Sequence, residues 1–289
     1  MKNQLIIVRG GGDMATGVIH RLWSAGFPVL ILESARPTAI RRQVALCEAV
    51  YEGAATVEGA TAQRIEDVSQ VSAVLAAGKI PLLVDEAGES IARLHPAAVV
   101  DAILAKRNLG TRRDMAPLTV ALGPGFVAGQ DVDYVIETMR GHNLGRIIRE
   151  GAAQPNTGVP GKIGGYAAER VIHAAHAGTL EHCHEIGDEV AQGEPIAYIR
   201  NERGCFPVGA TIPGLIRGLI RDGFPVQAGL KIADIDPRRE EHENCFTISD
   251  KARCIAGSVL ELVCRFHWRE AKVGVRGTMS PEQVTGRQP

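Results

Sequence analysis

Two hydrophobic patterns alternate along the first half of the chain. Residues 5–8 form a continuous aliphatic run, which is typical of a strand buried on both faces of a sheet. Between Met14 and Trp23, apolar residues recur three and four positions apart, and Gly26 follows where a helix would end. A second aliphatic run at 28–32 leads into Glu33. These patterns predict a β-strand, a helix and a second β-strand in that order.

The same alternation continues beyond this unit. It predicts helices at 69–77 and 96–107 and strands at 80–85, 118–122 and 132–138. We therefore expect an α/β fold that begins with a doubly wound, Rossmann-like parallel sheet. Ligands of such sheets bind at the carboxyl ends of the strands, so residues near those ends should line one crevice. These residues are Asp13, Asp85, Glu86, Gly123, Gly125, Glu137, Arg140 and His142.

The turn between the first strand and the first helix carries a dinucleotide-binding pattern. Gly10, Gly12 and Ala15 match G-x-G-x-x-A, and Glu33 lies about 20 residues further on, where a carboxylate would bind a ribose hydroxyl. Glycines here allow a pyrophosphate to approach the backbone and the N-terminal amides of the helix. The alternative is a tight turn that binds nothing. The predicted cofactor-binding residues of this turn and strand are Gly10, Gly11, Gly12, Asp13, Met14, Ala15 and Glu33.

The segment 140–162 is rich in glycine and in cationic or amide side chains. Its charged side chains could donate hydrogen bonds to a phosphate or a similar oxyanion. Asn156, Thr157 and Gly158, near the end of the segment, could add amide and backbone donors. An ordinary solvated loop explains the same composition. The candidate anion ligands are Arg140, His142, Arg146, Asn156, Thr157, Gly158 and Lys162.

The second half of the chain contains an internal repeat. Residues 178–199 and 214–235 share glycine, valine and isoleucine positions at an offset of 36 residues, beginning with Gly178 and Gly214. Two copies are too few for a solenoid, so a two-fold sandwich or barrel is expected. The repeat resembles the biotinyl/lipoyl barrel-sandwich, but the joining segment 200–207 has no lysine to carry a prosthetic group.

The patterns together predict three regions. A Rossmann-like nucleotide-binding domain is expected at 1–165, including the glycine-rich loop. A smaller, β-rich, barrel-sandwich-like domain with a flanking helix is expected at 166–266, and a disordered tail at 267–289.

Composition excludes several classes of function. The 289 residues carry 32 Lys and Arg against 33 Asp and Glu, so no overall basic field attracts nucleic acid. The apolar runs are far shorter than the roughly 20 residues that span a bilayer, and no leader sequence is recognised, so a cytoplasmic location is expected. No membrane partner is expected.

Catalytic and metal-binding signatures are also missing from the sequence. No Gly-x-Ser-x-Gly, Walker A or zincin motif occurs, so the sequence identifies no catalytic residues. The six cysteines lack CxxC spacing, so no metal site is predicted. Cys205 lies beside Arg200 and Arg203, which would favour its thiolate, although a bystander role is the alternative.

Five separate motifs resemble one protein family over about residues 3–266. They are RGGGDMATG at 9–17, VALGPGF at 120–126, DYVIETMRGH at 133–142, NTGVPG at 156–161 and GLKIADIDPR at 229–238. Together they are similar to the YqeB family of selenium-dependent molybdenum hydroxylase maturation proteins, which is loosely related to the XdhC proteins. The resemblance implies an accessory role toward a molybdenum hydroxylase apoenzyme as partner.

Three functions remain open at this point. The chain could be a maturation factor that binds a nucleotide-bearing ligand such as the molybdenum cofactor dinucleotide. It could be an NAD(P)-dependent oxidoreductase, although no tyrosine–lysine or histidine–acid dyad occurs at a recognisable spacing. It could also be a non-catalytic scaffold that binds a partner protein and no small ligand.

Overall fold

The structure has nineteen β-strands among the residues that it describes. The structure is a computed structural model, and it describes residues 4–158 and 161–276. The strands of the first half are β1 (Ile6–Arg9), β2 (Val29–Glu33), β3 (Ala54–Val57), β4 (Ala60–Ile65), β5 (Ile80–Val84), β6 (Ala98–Asp101), β7 (Leu118–Leu122), β8 (Val127–Ala128), β9 (Tyr134–Ile136), β10 (Ile147–Ile148) and β11 (Gly151–Ala152). Those of the second half are β12 (Val171–His173), β13 (Gly178–His182), β14 (Glu189–Val190), β15 (Pro195–Asn201), β16 (Gly204–Gly209), β17 (Gly214–Leu219), β18 (Pro225–Val226) and β19 (Lys231–Asp236).

Five α-helices accompany these strands within the described ranges, and only two of them are long. The helices are α1 (Asp13–Ser24), α2 (Ala49–Glu52), α3 (Val71–Ala76), α4 (Ser90–Leu94) and α5 (Asp250–Arg276). The last helix continues into the first part of the predicted tail, and residues 277–289 lie outside the described residues.

A nine-stranded mixed sheet organises the first half. Its strand order is β10-β9-β7-β6-β1-β2-β5-β4-β3. The strands from β9 to β4 in this order are parallel, whereas β3 and β10 are antiparallel edge strands. The central strands β1 and β6 are buried along their whole length, as continuous aliphatic runs require.

The predicted fold class is wrong. The doubly wound, Rossmann-like parallel sheet is replaced by a mixed sheet with antiparallel edges, and the predicted helix at 96–107 contains the central strand β6. A short apolar run fits a buried strand as well as one face of a helix, and burial on both sides of the sheet decides for the strand. The barrel-sandwich-like domain is also replaced, by two small four-stranded antiparallel sheets.

Helices α1 and α5 pack together on one face of the large sheet. Their apolar residues share one core with β1, β6 and β7, including Val18 and Ile19 of α1 and Ile255 and Val259 of α5. The other face of the sheet is covered by a smaller apolar cluster that includes Val71 and Val74 of α3. The chain therefore returns from its second half to complete the core of the first.

The internal repeat forms two equivalent sets of strands. In the first copy β13 pairs with β15, and in the second copy β17 pairs with β19, both antiparallel. The short middle strand of each copy pairs with the other copy, because β18 lies beside β13 and β14 beside β17. The resulting sheets, β12-β19-β17-β14 and β16-β15-β13-β18, enclose an apolar core of their own.

Candidate functional site

A cleft of about 690 Å³ opens at the carboxyl ends of β1, β2 and β6. From β1 the sheet continues through β2 and β5 on one side and through β6 and β7 on the other, so the strand order reverses here. A reversal of this kind leaves a crevice beyond the strand ends, where ligands of open α/β sheets bind. The predicted residues that line this cleft are Gly10, Gly12, Asp13, Met14, Ala15, Glu33 and Glu86.

Three consecutive glycines form the turn into α1, and packing explains only two of them. Gly10 has φ +98°, and a Cβ there would lie 3.0 Å from the carbonyl oxygen of Ala102. A Cβ on Gly11 would lie 3.0 Å from the amide nitrogen of Cys47. Gly12 is the N-cap of α1 with φ −67°, and a Cβ there would meet no atom within 4 Å. The fold therefore does not require glycine at position 12.

The carboxylate of Glu33 is held at the cleft by backbone amides. The N–H of Gly11 donates to Oε2 and that of Ser34 to Oε1, each at 2.7 Å. Burial raises the pKa of Glu33, and these two amides act in the opposite direction. Because a carboxylate oxygen accepts more than one hydrogen bond, Glu33 can also accept from a ligand hydroxyl. Its role toward a ribose stays a prediction.

A buried arginine forms part of the cleft wall. Arg9, at the end of β1, is 1% exposed, and its Nη1 donates to Oγ1 of Thr111 at 2.5 Å. Its Nη2 donates to the carbonyl oxygen of Glu86 at 2.8 Å. The hydroxyl of Thr111 in turn donates to Oδ2 of Asp101 at 2.6 Å. This chain of hydrogen bonds fixes a positive charge beside the glycine turn.

Asp13 connects the cleft with the C-terminal part of the chain. Its Oδ2 lies 3.7 Å from Nη1 of Arg41, a side chain that is 7% exposed. The Nη2 of Arg41 donates to the carbonyl oxygens of Asn244 at 3.0 Å and Thr247 at 3.1 Å. Burial, and after it the charge of Arg217, lowers the pKa of Arg41.

Two predicted carboxylates have structural partners outside this cleft. Both oxygens of Asp85 accept hydrogen bonds in the turn into α4, including one of 2.6 Å from the hydroxyl of Ser90. Glu137 is 3% exposed and accepts from the amides of Met139 at 2.7 Å and Gln154 at 2.8 Å. Both groups order loops at the ends of strands.

The glycines after β7 are explained by close packing. A Cβ on Gly123 would lie 2.6 Å from Oγ1 of Thr138, and a Cβ on Gly125 would lie 2.6 Å from the backbone of Arg107. Neither residue lines the cleft beside Gly12.

The predicted loop residues are also placed away from the glycine turn. Arg140 makes a bidentate ion pair with Asp250, at 3.0 and 3.2 Å. The others are exposed on the surface, and they are His142, Arg146, Asn156, Thr157, Gly158 and Lys162.

Sequence reasoning missed Arg9 as part of the cleft wall, and it missed the hydrogen bonds that link Arg9 to Thr111 and Thr111 to Asp101. The available signal was Arg9 itself, a charged residue that directly continues a fully buried aliphatic run and therefore needs a partner. Its partner Thr111 lies far along the chain in an irregular segment, where periodicity carries no information.

The described residues show no group of three His, Cys, Asp or Glu side chains arranged to hold a metal ion. Cys205 is an exposed thiol in β16. Within the same described ranges, none of the helices is both long and apolar enough to cross a membrane.

A curated protein of Escherichia coli strain K12, named uncharacterized protein YqeB, is 50% identical to this chain over 260 residues. The chain is a homologue of YqeB. The alignment covers 90% of the chain and 47% of YqeB, so the chain spans about half the length of this relative. The expected resemblance to the YqeB family is supported by this identity. No protein-family model matches the chain.

Solved structures show only distant likeness to this YqeB homologue. The product-bound ectoine utilization protein EutE (DoeB) from Ruegeria pomeroyi has a TM-score of 0.27 at 12% identity, with 81% of this chain and 85% of that chain covered. An aspartoacylase family protein from Mesorhizobium loti has a TM-score of 0.29 at 14% identity, with coverage of 82% and 86%. A succinylglutamate desuccinylase/aspartoacylase from Rhodobacter sphaeroides has a TM-score of 0.25 at 13% identity, with coverage of 76% and 62%. Likeness this distant assigns neither a detailed fold nor an activity.

Proposed function

We propose that this YqeB homologue is an accessory protein that binds a nucleotide-bearing ligand in the cleft beside the glycine turn. The observation that carries the proposal is Gly12. Its φ of −67° suits any residue and no atom lies within 4 Å of its Cβ position, so neither strain nor packing accounts for a glycine there. Close approach of a ligand to the backbone accounts for it.

The groups around Gly12 suit the parts of a nucleotide. The first turn of α1 presents backbone amides and the positive end of the helix dipole to the cleft, which favours a diphosphate. Arg9 adds a fixed positive charge, and Arg36 adds another cationic side chain to the lining. Glu33 is placed to accept hydrogen bonds from ribose hydroxyls.

The carboxylate of Asp13, in the first turn of α1, would repel an anion bound in this cleft. The guanidinium of Arg41, 3.7 Å away, offsets much of that negative charge. Because the carboxylates of Glu33 and Glu86 also line the cleft, the diphosphate would be held mainly by backbone amides rather than by a cluster of lysine side chains.

The biological context in this proposal comes from the family resemblance. It is the maturation of selenium-dependent molybdenum hydroxylases, with the molybdenum cofactor dinucleotide as ligand and the hydroxylase apoenzyme as partner. The cleft volume of about 690 Å³ is within the range of small-molecule sites, about 300–1,000 Å³.

The binding test is calorimetry with CDP, GDP, ADP, NAD and NADP on the wild type and three variants. We expect Gly12→Ala to weaken the best nucleotide by about tenfold or more, because a methyl group would displace the phosphate from charged hydrogen bonds. Glu33→Gln should cost about 1.5–3 kcal/mol of binding free energy. The matched control is Gly257→Ala, an exposed glycine of α5 with nothing within 4 Å of its Cβ position, which should leave binding unchanged.

Unchanged affinity in Gly12→Ala would refute the placement of the ligand at this turn. The identity of the ligand is tested by mass spectrometry of small molecules released from the protein purified from molybdate-grown cells. A released pterin or nucleotide supports the maturation role. Turnover of bound NAD or NADP with a substrate would favour an oxidoreductase instead, and stable capture of a hydroxylase subunit without any small ligand would favour a scaffold.

A further inference from the structure

A second cavity, of about 280 Å³, lies where the start of α5 meets β17 and the segment at 161–163. Four cationic side chains line it, namely Arg140, Lys162, Arg217 and Arg238. Two acidic side chains, Glu241 and Asp250, also line it. The cavity is separate from the cleft at Gly12, with which it shares no lining residue.

Two of these four cations are neutralised by carboxylates. Arg140 binds both oxygens of Asp250, which holds the pKa of Asp250 at about 2. Arg238 binds both oxygens of Asp236, at 2.9 and 2.8 Å, and also pairs with Glu241 at 3.3 Å. Bidentate pairs of this kind fix the guanidinium groups in place.

Arg217 has no comparable partner among the described residues. Its side chain is 13% exposed, and the carboxylate nearest to it, Asp236, is 3.9 Å from Nη1 and already bound by Arg238. The Nε of Arg217 is buried without any hydrogen-bond partner in the described part of the chain. A largely buried guanidinium with an unmet donor is costly, and none of the described residues supplies a full partner for it.

Two further cationic side chains, Arg41 and Lys231, lie close enough to Arg217 to feel its charge. Arg41 is 7% exposed, its Nε also lacks a partner among the described residues, and the charge of Arg217 contributes to lowering its pKa. Arg41 donates to the carbonyl oxygens of Asn244 and Thr247, two residues of the cavity wall. Burial lowers the pKa of Lys231, and Arg217 adds to that shift. The surplus charge in this region is therefore positive.

We propose that this cavity binds an oxyanion of the phosphate class, held by Arg217 and Lys162 beside the start of α5. The repulsion between Arg217 and Arg41 is relieved when a multiply charged anion enters beside the guanidinium of Arg217. The cavity is large enough for inorganic phosphate, or for the phosphate group of a larger ligand whose remainder extends into solvent.

The test combines thermal unfolding and calorimetry with inorganic phosphate, pyrophosphate and glycerol 3-phosphate, each at constant ionic strength set with chloride. In the wild type we expect phosphate to raise Tm and chloride alone to have no such effect. In Arg217→Gln we expect Tm without phosphate to be equal to or above that of the wild type, because a repulsive charge is gone. The rise with phosphate should be lost, and the Kd should increase by about tenfold or more.

Two further variants keep the outcome interpretable. Lys162→Gln, at the exposed edge, should weaken phosphate binding even if Arg217→Gln folds poorly. Arg203→Gln, on the exposed turn between β15 and β16, is the matched control and should bind phosphate as the wild type does. Stronger binding of glycerol 3-phosphate than of inorganic phosphate would identify the source as a phosphate group of a larger molecule.

Full phosphate binding by both Arg217→Gln and Lys162→Gln, or an equal Tm rise with chloride, would overturn the proposal. The outcome is distinguishable from that of the nucleotide proposal. Gly12→Ala should retain the binding of inorganic phosphate, whereas Arg217→Gln should retain Gly12-dependent nucleotide binding.

Discussion

Gly17, in the middle of α1, provides a stringent test of the contact between α1 and α5. A Cβ at this position would lie 2.7 Å from Cβ of Ala252 and 3.1 Å from the carbonyl carbon and oxygen of the same residue. Both residues are buried in the core that the two helices share with the large sheet. Because two of the three nearest atoms belong to the backbone of α5, the contact cannot be relieved by rotating a side chain.

The magnitude follows from two opposing effects. Replacing glycine by alanine inside a helix gains up to about 1 kcal/mol of propensity. Overpacking a close-packed interior costs about 1–3 kcal/mol, and a backbone neighbour favours the upper part of that range. We therefore expect Gly17→Ala to lower the free energy of unfolding by about 1–2 kcal/mol.

The assay is urea unfolding followed by far-ultraviolet circular dichroism, with the midpoint and slope compared among variants. Gly257→Ala, on the exposed side of α5, should be neutral or stabilising, because its Cβ meets nothing within 4 Å. Adding Ala252→Gly to Gly17→Ala should recover part of the loss, since the clash is between these two residues. If Gly17→Ala is as stable as Gly257→Ala, the close approach of the two helices is refuted.

Two further predictions concern hydrogen bonds at the two sites. Thr111→Val should lower the free energy of unfolding by about 1–3 kcal/mol, because it leaves the buried carboxylate of Asp101 without the hydroxyl that donates to it at 2.6 Å. The control Thr211→Val, at an exposed threonine, should change that free energy by less than about 0.5 kcal/mol. Both are measured by urea unfolding. Asp250→Asn should cost less than about 1 kcal/mol at pH 7, because the Asp250 side chain is 75% exposed in its pair with Arg140. The pKa of Asp250 is lowered from 3.8 to about 2, so its stabilisation is complete above about pH 4 and is lost as the pH falls toward 2. Unfolding curves of wild type and Asp250→Asn should therefore converge across that interval, and a constant difference would contradict this assignment.

The first strand, helix and strand were predictable because their patterns are long and unambiguous. The helix predicted from Met14 onward is observed at Asp13–Ser24, and the aliphatic runs on either side are β1 and β2. The strand β6 was not predictable, because Ala98–Asp101 reads equally well as one face of a helix. Only the neighbours β1 and β7, which lie far away in sequence, make it a strand.

The same distinction between local patterns and long-range contacts applies to the residues of the candidate sites. Glycines and a carboxylate at fixed spacing identified the cleft lining from Gly10 to Glu33, because these groups lie within one local unit. The partners of Arg9 and the surplus charge around Arg217 come from segments that only the folded chain brings together. Local patterns carry no record of such pairings. The sequence therefore offered Arg140 and Lys162 as anion ligands, but it did not predict that Arg217 joins them in one cavity.

Arg41 lines neither cavity, but it contacts residues of both proposed sites. One end of its guanidinium faces Asp13 in the cleft, and the other donates to carbonyl oxygens in the wall of the second cavity. Burial, and after it the repulsive charge of Arg217, works against that placement and lowers the pKa of Arg41. An anion beside Arg217 would reduce this repulsion and so favour the pairing of Arg41 with Asp13, which in turn makes the cleft less repulsive to a diphosphate. Occupation of either site is therefore expected to favour the other, by the reciprocity that couples any two linked binding sites.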